Sequence, residues 1–393
     1  MEKVRYGIIG LGNQGSHYQI NLFDKGEIPN AEITALCDND PKKIESMQNR
    51  TTNKTAKYFS DYKEMLDSGL VDAVLVEVPH YQHPEIVMEC LKRDINVLCE
   101  KPAGVYTKQV REMNEFAKDK KALFGMMFNQ RTNPMYKKMK EIIAEGGIGQ
   151  LQRVNWIITD WFRTQFYYDS GDWRGTWEGE GGGVLFNQCP HQIDLVQWIV
   201  GEMPETVRGF CGYGRWHDLE VEDEVTAFFT YKNGATGVFI TTTGETPGTN
   251  RLEISGTLGK LTCDMVSLKY YKNSSDSLEH SNTSPYAFAR PECKEIEVEI
   301  EGENLQHKGI LINFTNAVLG KEKLIAPGLE GINGVELMDA IQYSGWQNGK
   351  QVSLPIDEDD YLKMLTEKRK ISRYKKGESV ISDTSGSFKG NAK

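Results

Sequence analysis

Residues 5–15 read Arg5-Tyr-Gly-Ile-Ile-Gly10-Leu-Gly12-Asn13-Gln14-Gly15, a short apolar strand running straight into a Gly-x-Gly-x-x-Gly turn. The stretch that follows, Ser16-His-Tyr-Gln-Ile-Asn-Leu-Phe23, has helical character, so the glycines stand between a strand and a helix. That context makes a weak motif a dinucleotide fingerprint. Gly10 allows the tight turn, Gly12 lets the main chain approach a pyrophosphate, and Gly15 lets helix and strand pack closely, with Asn13 and Gln14 completing the loop. A second strand, Ala31-Glu-Ile-Thr-Ala-Leu-Cys37, ends at Asp38. This is the acidic residue about 20 positions on whose carboxylate accepts ribose hydroxyls and repels a 2′-phosphate. Asn39 adds no positive charge beside it, so NAD is expected over NADP, with Lys42 and Lys43 as the opposing consideration.

Outward from this loop, short apolar strands alternate with helices of 3.6 period as far as Gly125: Gly7-Ile-Ile, Ile33-Thr-Ala-Leu, Ala73-Val-Leu-Val, Asn96-Val-Leu and Ala122-Leu-Phe. Such alternation predicts a parallel, doubly wound α/β sheet, a Rossmann domain over 1–126. Thr107 suits an N-cap, and Pro84 suits the first turn of another helix. Ligands of this architecture bind at the carboxyl ends of the strands. Pro79, His83, Glu100 and Lys101 fall there and join the expected cofactor-binding set.

Past Arg131 the pattern changes. Pro134 to Glu145 reads as a helix, strands dominate from Leu151, and Asn233-Gly234 joins two of them as a hairpin. Arg251-Leu-Glu-Ile-Ser and Lys260-Leu-Thr-Cys form a further pair, and helices follow near 305–319, 334–345 and 358–370. The expectation is an α+β domain over 127–372 with a large, mostly antiparallel open sheet, and a disordered tail over 373–393.

The chain has 393 residues and 39% apolar content, enough for two cored domains. Lys and Arg number 46 against 56 Asp and Glu, a net charge of −10 with no extended basic run, which disfavours nucleic acid and anionic membrane as partners. A small molecule is the expected ligand. The seven cysteines form no Cys-x-x-Cys, as suits reduced thiols in the cytoplasm. No charged-then-apolar leader and no run of eighteen apolar residues is present, so neither export nor membrane insertion is expected. No cluster has zinc spacing, so no metal is expected, and no Gly-x-Ser-x-Gly elbow occurs.

Three further features carry chemistry. Lys101, bracketed by Glu100 and Pro102, can donate to a reacting hydroxyl and stabilise the developing alkoxide, and Glu100 can tether or tune it. His191 and Asp194 lie three apart at the head of a helix begun by Pro190, below the run Gly181-Gly-Gly183, which permits close approach to a ligand. Histidine is well suited to take a hydroxyl proton near neutral pH. Between Trp156 and Trp177, eight aromatic residues alternate with Arg163, Asp169, Asp172 and Arg174, a mixture suited to sugar faces and hydroxyls or to core and interface.

Together, the Gly10–Gly15 loop, Glu100-Lys101-Pro102 and the stretch from Gly181 to His191-x-x-Asp194 resemble the three signatures of the Gfo/Idh/MocA oxidoreductase family. Gly331–Ser344 and Val352-Ser-Leu-Pro355 resemble its closing helix and strand. The resemblance implies oxidation or reduction of a sugar or polyol hydroxyl by bound nicotinamide, with Lys101 and His191 as catalytic pair, and a homo-oligomer built through the open sheet. Many members carry aspartate four residues before the histidine. This chain has Asn187, which orients a hydroxyl but cannot take its proton. The stretch from Trp161 to Trp177 resembles bacterial enzymes that oxidise the C3 hydroxyl of glycosides, some of which begin C-glycoside deglycosylation. The expected function is therefore oxidation of a glucoside ring hydroxyl, with Arg163, Tyr167, Trp173, Arg174, Asn187 and Asp194 positioning the sugar. The alternatives are an inositol or free-sugar dehydrogenase, an NAD-dependent redox-neutral glycosidase and a non-enzymatic NAD sensor.

Overall fold

A computed structural model describes residues 3–264 and 266–373. The predicted tail lies almost wholly outside them. In the first half, β1 (Val4–Ile9), β2 (Ala31–Cys37), β3 (Lys57–Phe59), β4 (Ala73–Val76), β5 (Asn96–Cys99) and β6 (Phe124–Met126) pair in parallel in the order β3-β2-β1-β4-β5-β6. Strands β1, β4 and β5 are buried almost throughout, as a sheet covered on both faces requires. The helices α1 (Asn13–His17, continuing as a π-helix over Tyr18–Phe23), α2 (Pro41–Arg50), α3 (Tyr62–Asp67), α4 (His83–Lys92) and α5 (Thr107–Ala117) supply the crossovers. Strand β6 begins two residues later than its apolar run suggests, and β3 lacks the apolar continuity that would have announced it.

Beyond α6 (Pro134–Ala144), the second sheet is built from β7 (Leu151–Ile158), β8 (Thr206–Tyr213), β9 (Glu222–Thr230), β10 (Thr236–Thr242), β11 (Asn250–Gly256), β12 (Gly259–Cys263), β13 (Leu268–Asn273), β14 (Cys293–Ile296) and β15 (Val352–Ser353). Its order is β14-β13-β12-β11-β7-β10-β9-β8-β15, antiparallel except where β7 lies parallel to β10. The Asn233-Gly234 hairpin joins β9 to β10 as expected, with Gly234 at φ 85°. The short helices α7 (Gln165–Asp169) and α9 (Ser277–Thr283) lie in connections, while α8 (Pro190–Val200), α10 (Gln306–Val318), α11 (Gly331–Trp346) and α12 (Glu358–Lys370) are longer.

Helix α10 does not stay with the sheet that precedes it. Phe314 packs against Tyr6, and the Tyr6 hydroxyl lies 2.8 Å from the Thr315 hydroxyl, so α10 covers the parallel sheet from 309 residues away. Helix α5 is also tied across the molecule. Thr107 is its first residue rather than its cap, and the buried Asp339 carboxylate on α11 accepts both the Thr107 N–H and its hydroxyl at 2.7 Å.

Candidate active site

The fingerprint glycines divide by what surrounds them. A Cβ on Gly10, which sits at φ 99°, would lie 2.3 Å from the Glu77 carbonyl oxygen, and one on Gly15 would lie 2.0 Å from the Gly10 carbonyl oxygen. These two are demanded by the protein's own backbone. A Cβ on Gly12 would meet nothing within 4 Å, and the first turn of α1 behind it has no side-chain cap. Asn13 is exposed beside that turn, and the Gln14 side chain interacts with the Tyr18 hydroxyl. Open space and uncapped main-chain N–H groups suit a pyrophosphate.

Asp38, buried where β2 ends, accepts the Leu11 N–H at 2.8 Å on Oδ2 and the Asp40 N–H at 2.9 Å on Oδ1, which leaves each oxygen a free lone pair for a ribose hydroxyl. Lys43 Nζ stands 3.7 Å from Oδ2, so the positive charge weighed above is present and paired. The residues fit NAD.

Lys101 follows β5, and its Nζ donates to the Asn187 carbonyl oxygen at 2.9 Å. Glu100 makes no hydrogen bond to that ammonium: Oε1 accepts from the Tyr18 hydroxyl, and Oε2 accepts the Lys101 main-chain N–H at 3.1 Å. Burial lowers the Lys101 pKa from 10.5, with Glu100 the largest opposing influence. His191, in the first turn of α8, has a buried Nδ1 without a partner among the described residues. Burial first, then the Lys101 charge and the competing His307 ring, hold its pKa well below 6.5, so the imidazole is neutral.

Asn187 lies between these groups and the aromatic segment. Its Oδ1 accepts from the Tyr167 hydroxyl at 3.2 Å, and that hydroxyl accepts from Arg174 at 2.6 Å and from Gln188 Nε2 at 3.1 Å. The Arg174 guanidinium stacks between the rings of Tyr167 and Trp173, 4.4 and 4.5 Å from their centroids, while Arg163 lies 5.3 Å from Tyr167. Trp173 meets His80 edge-on at 5.5 Å, which ties the segment to the end of β4, where Pro79 precedes the turn His80–Gln82.

Several expectations are corrected. Asp194 is 1% exposed, and its two oxygens accept from Arg131 at 2.7 and 2.8 Å, so it anchors α8 instead of meeting a sugar. His83 is wholly buried, with ring nitrogens 2.7 and 2.8 Å from the carbonyl oxygens of Pro102 and Val78, so it braces the lysine loop and presents no free ring nitrogen. The run Gly181–Gly183 faces protein: Cβ atoms there would lie 2.1 Å from Val105, 2.2 Å from Phe186 and 2.0 Å from the Glu222 carbonyl. Of the two readings left open for the aromatic segment, core holds for Trp156, Tyr168 and Trp177.

Sequence reasoning passed over Glu180, Tyr18, Glu77 and His307. Glu180 donates no motif, yet it directly precedes the glycine run. Tyr18 lies three residues past Gly15, on the face that reaches Glu100. His307, at the start of α10, packs 5.7 Å from Tyr18 and 6.3 Å from His17, and burial pushes its pKa down to about 3. Glu77 beside Glu100 has its pKa raised by burial and by that neighbouring charge. Among the described residues no group of His, Cys, Asp and Glu is arranged to hold a metal, and no helix is long and apolar enough to cross a membrane.

A doubly wound sheet with an open glycine loop at one end of β1, joined to an open mixed sheet, defines a dinucleotide-binding α/β protein. Residues 4–128 match the oxidoreductase family with an NAD-binding Rossmann fold, and residues 136–262 match the GFO/IDH/MocA C-terminal domain. The chain belongs to the Gfo/Idh/MocA family of oxidoreductases. It is 26% identical over 208 residues to the rhizopine catabolism protein MocA of Rhizobium meliloti, covering 53% of this chain and 61% of that one. It is 28% identical over 269 residues to the myo-inositol 2-dehydrogenase of Thermotoga maritima, covering 67% of this chain and 76% of that one. The WlbA dehydrogenase of Chromobacterium violaceum, solved with NADH and UDP-GlcNAcA, superposes with a TM-score of 0.75 at 26% identity over 91% of this chain and 97% of that one.

Proposed function

We propose that the protein is an NAD-dependent dehydrogenase acting on a ring hydroxyl of a sugar, in its preferred substrate the C3 hydroxyl of an intact glucoside. The observation that carries this reading is that Lys101, held by the Asn187 carbonyl, lies near enough for its charge to lower the pKa of a neutral His191, while Glu100 beside it accepts from Tyr18, three residues past the fingerprint loop. Bound NAD supplies the hydride acceptor. His191 takes the hydroxyl proton, and the Lys101 ammonium donates to the same oxygen as negative charge develops on it. Asn187 Oδ1 and Arg174 hold neighbouring hydroxyls, Tyr167 keeps both oriented through its own hydrogen bonds, and Trp173 lies under the ring.

The glycoside preference rests on surplus ring surface. Phe162 and Phe166, in the same segment as Tyr167 and Trp173, are 46% and 56% exposed, and an aryl aglycone would use this ring surface. Likeness to a myo-inositol 2-dehydrogenase favours a cyclitol as the second reading. Mass spectrometry after incubation with an aryl glucoside, myo-inositol and NAD separates them. Loss of two hydrogens from the intact glucoside, at higher catalytic efficiency than for inositol, is expected; consumption of inositol alone sinks the glycoside reading. Self-association is supported by Phe210, Ile240 and Ile157, which with Thr226 form one cross-strand row on the outer face of the second sheet.

A further inference from the structure

We propose that Glu180 is a positioning residue that acts through Asn187: its buried carboxylate fixes the asparagine amide so that Oδ1 faces the hydroxyl-binding space while the Asn187 carbonyl holds Lys101 Nζ. This deepens the function proposed above and rests on it. Glu180 is 1% exposed. One carboxylate oxygen accepts from Asn187 Nδ2, and the other accepts the Gly175 N–H at 2.6 Å.

The two ends of an asparagine amide have nearly the same shape and opposite hydrogen-bonding character. An ionised carboxylate only accepts, so Nδ2 must turn toward Glu180 and Oδ1 away from it. Tyr167 then donates to Oδ1 at 3.2 Å, and Arg174 donates to the Tyr167 oxygen at 2.6 Å. Every donor in the series Arg174, Tyr167, Asn187 points toward one buried negative charge, an arrangement in which each bond polarises the next. The lone pair left on Oδ1 selects a substrate hydroxyl as donor. With glutamine at 180 the amide at 187 is free to flip, presenting a donor where an acceptor stood.

The test is a set of four variants assayed at pH 8, on the alkaline side of neutrality because burial raises the Glu180 pKa. On the substrate that the unmodified enzyme oxidises, Glu180→Gln should lower kcat about tenfold with NADH binding unchanged, and Glu180→Asp should recover most of that loss. Asn187→Asp sets two carboxylates in contact and should cost about a hundredfold or more, while Glu180→Gln with Asn187→Asp should recover at least about tenfold of it. A double variant no better than Asn187→Asp, or Glu180→Gln at full rate, overturns the proposal.

A second readout needs no turnover. Acetylation of Lys101 by acetic anhydride, followed against pH by mass spectrometry, reports the titration of its ammonium. The groups facing it are Glu100, Glu180, Arg174 and Cys189, with Glu77 and the rings of His80, His83, His191 and His307 also within its field. Removing the Glu180 charge should move the labelling midpoint down by about half a pH unit or more. An unmoved midpoint counts against Glu180 even in an enzyme that oxidises no sugar, an outcome that would itself sink only the proposed function.

Discussion

Gly10, Gly12 and Gly15 stand within six positions of one another, and Asp38 reaches back to Leu11 across 27 residues. On the other side of the candidate site, Lys101 is held by Asn187 across 86 residues, and the helix after it is held where Asp339 accepts from Thr107 across 232. The cofactor side is a local construction, in which one strand, one turn and one helix carry nearly all the requirements. The proposed sugar side is assembled from a loop, two helix ends and an aromatic segment, each of which the rest of the fold must hold in place. Substitutions in the first region should therefore act on one ligand, whereas those in the second should act through stability and geometry together.

The largest effect should come from the long-range side. Arg131 and Asp194 form a bidentate ion pair with both side chains buried, and Glu330 gives Arg131 a second partner nearer the surface. Asp194→Ala leaves the guanidinium short of its inner partner, and denaturant unfolding should show a loss of about 3 kcal/mol. An unchanged midpoint with a raised KM for sugar would mean that Asp194 serves the substrate after all. On the local side, Asp38→Ser with Asn39→Arg should move preference toward NADP by at least about tenfold, or 1.4 kcal/mol, with little change in stability. Calorimetry on protein stripped of nucleotide checks it. Equal binding of NAD and NADP by the unmodified protein contradicts the reading of Asp38.

The smallest expected effect is a matter of pH. With the His191 pKa held well below 6.5, the base is already neutral in the free enzyme across neutral pH, so the acid limb of kcat/KM should lie below 6.5. Lys101 must keep its proton, and burial lowers its pKa, so the alkaline fall should begin below 10.5. An acid limb centred at 7 or above would separate His191 from the chemistry.

The same contrast sets how much was legible in the sequence. The Rossmann half could be read because strand, glycines and Asp38 constrain one another over short distances, and the Asn233-Gly234 hairpin was legible for the same reason. Lys101 and His191 stood out by position at a strand end and a helix head. What failed was partnership. Nothing near Asp194 announces Arg131, nothing near His83 announces two carbonyls, and three glycines look alike whether they border a ligand or, as at Gly181–Gly183, the protein's own side chains. Glu180 was missed because its meaning lies in the amide it faces. Phe314 shows the limit for domain boundaries, since its helix follows the second sheet in sequence and packs on the first.

Lys101 and His191 are proposed to act together on a hydroxyl beside bound NAD. The most direct measurement is NADH formation at 340 nm by His191→Ala and Lys101→Ala, with NAD affinity determined in parallel by calorimetry. Each variant should turn over at least about a hundredfold more slowly while binding NAD as the unmodified protein does. Near-normal turnover by His191→Ala with intact NAD binding would contradict the account.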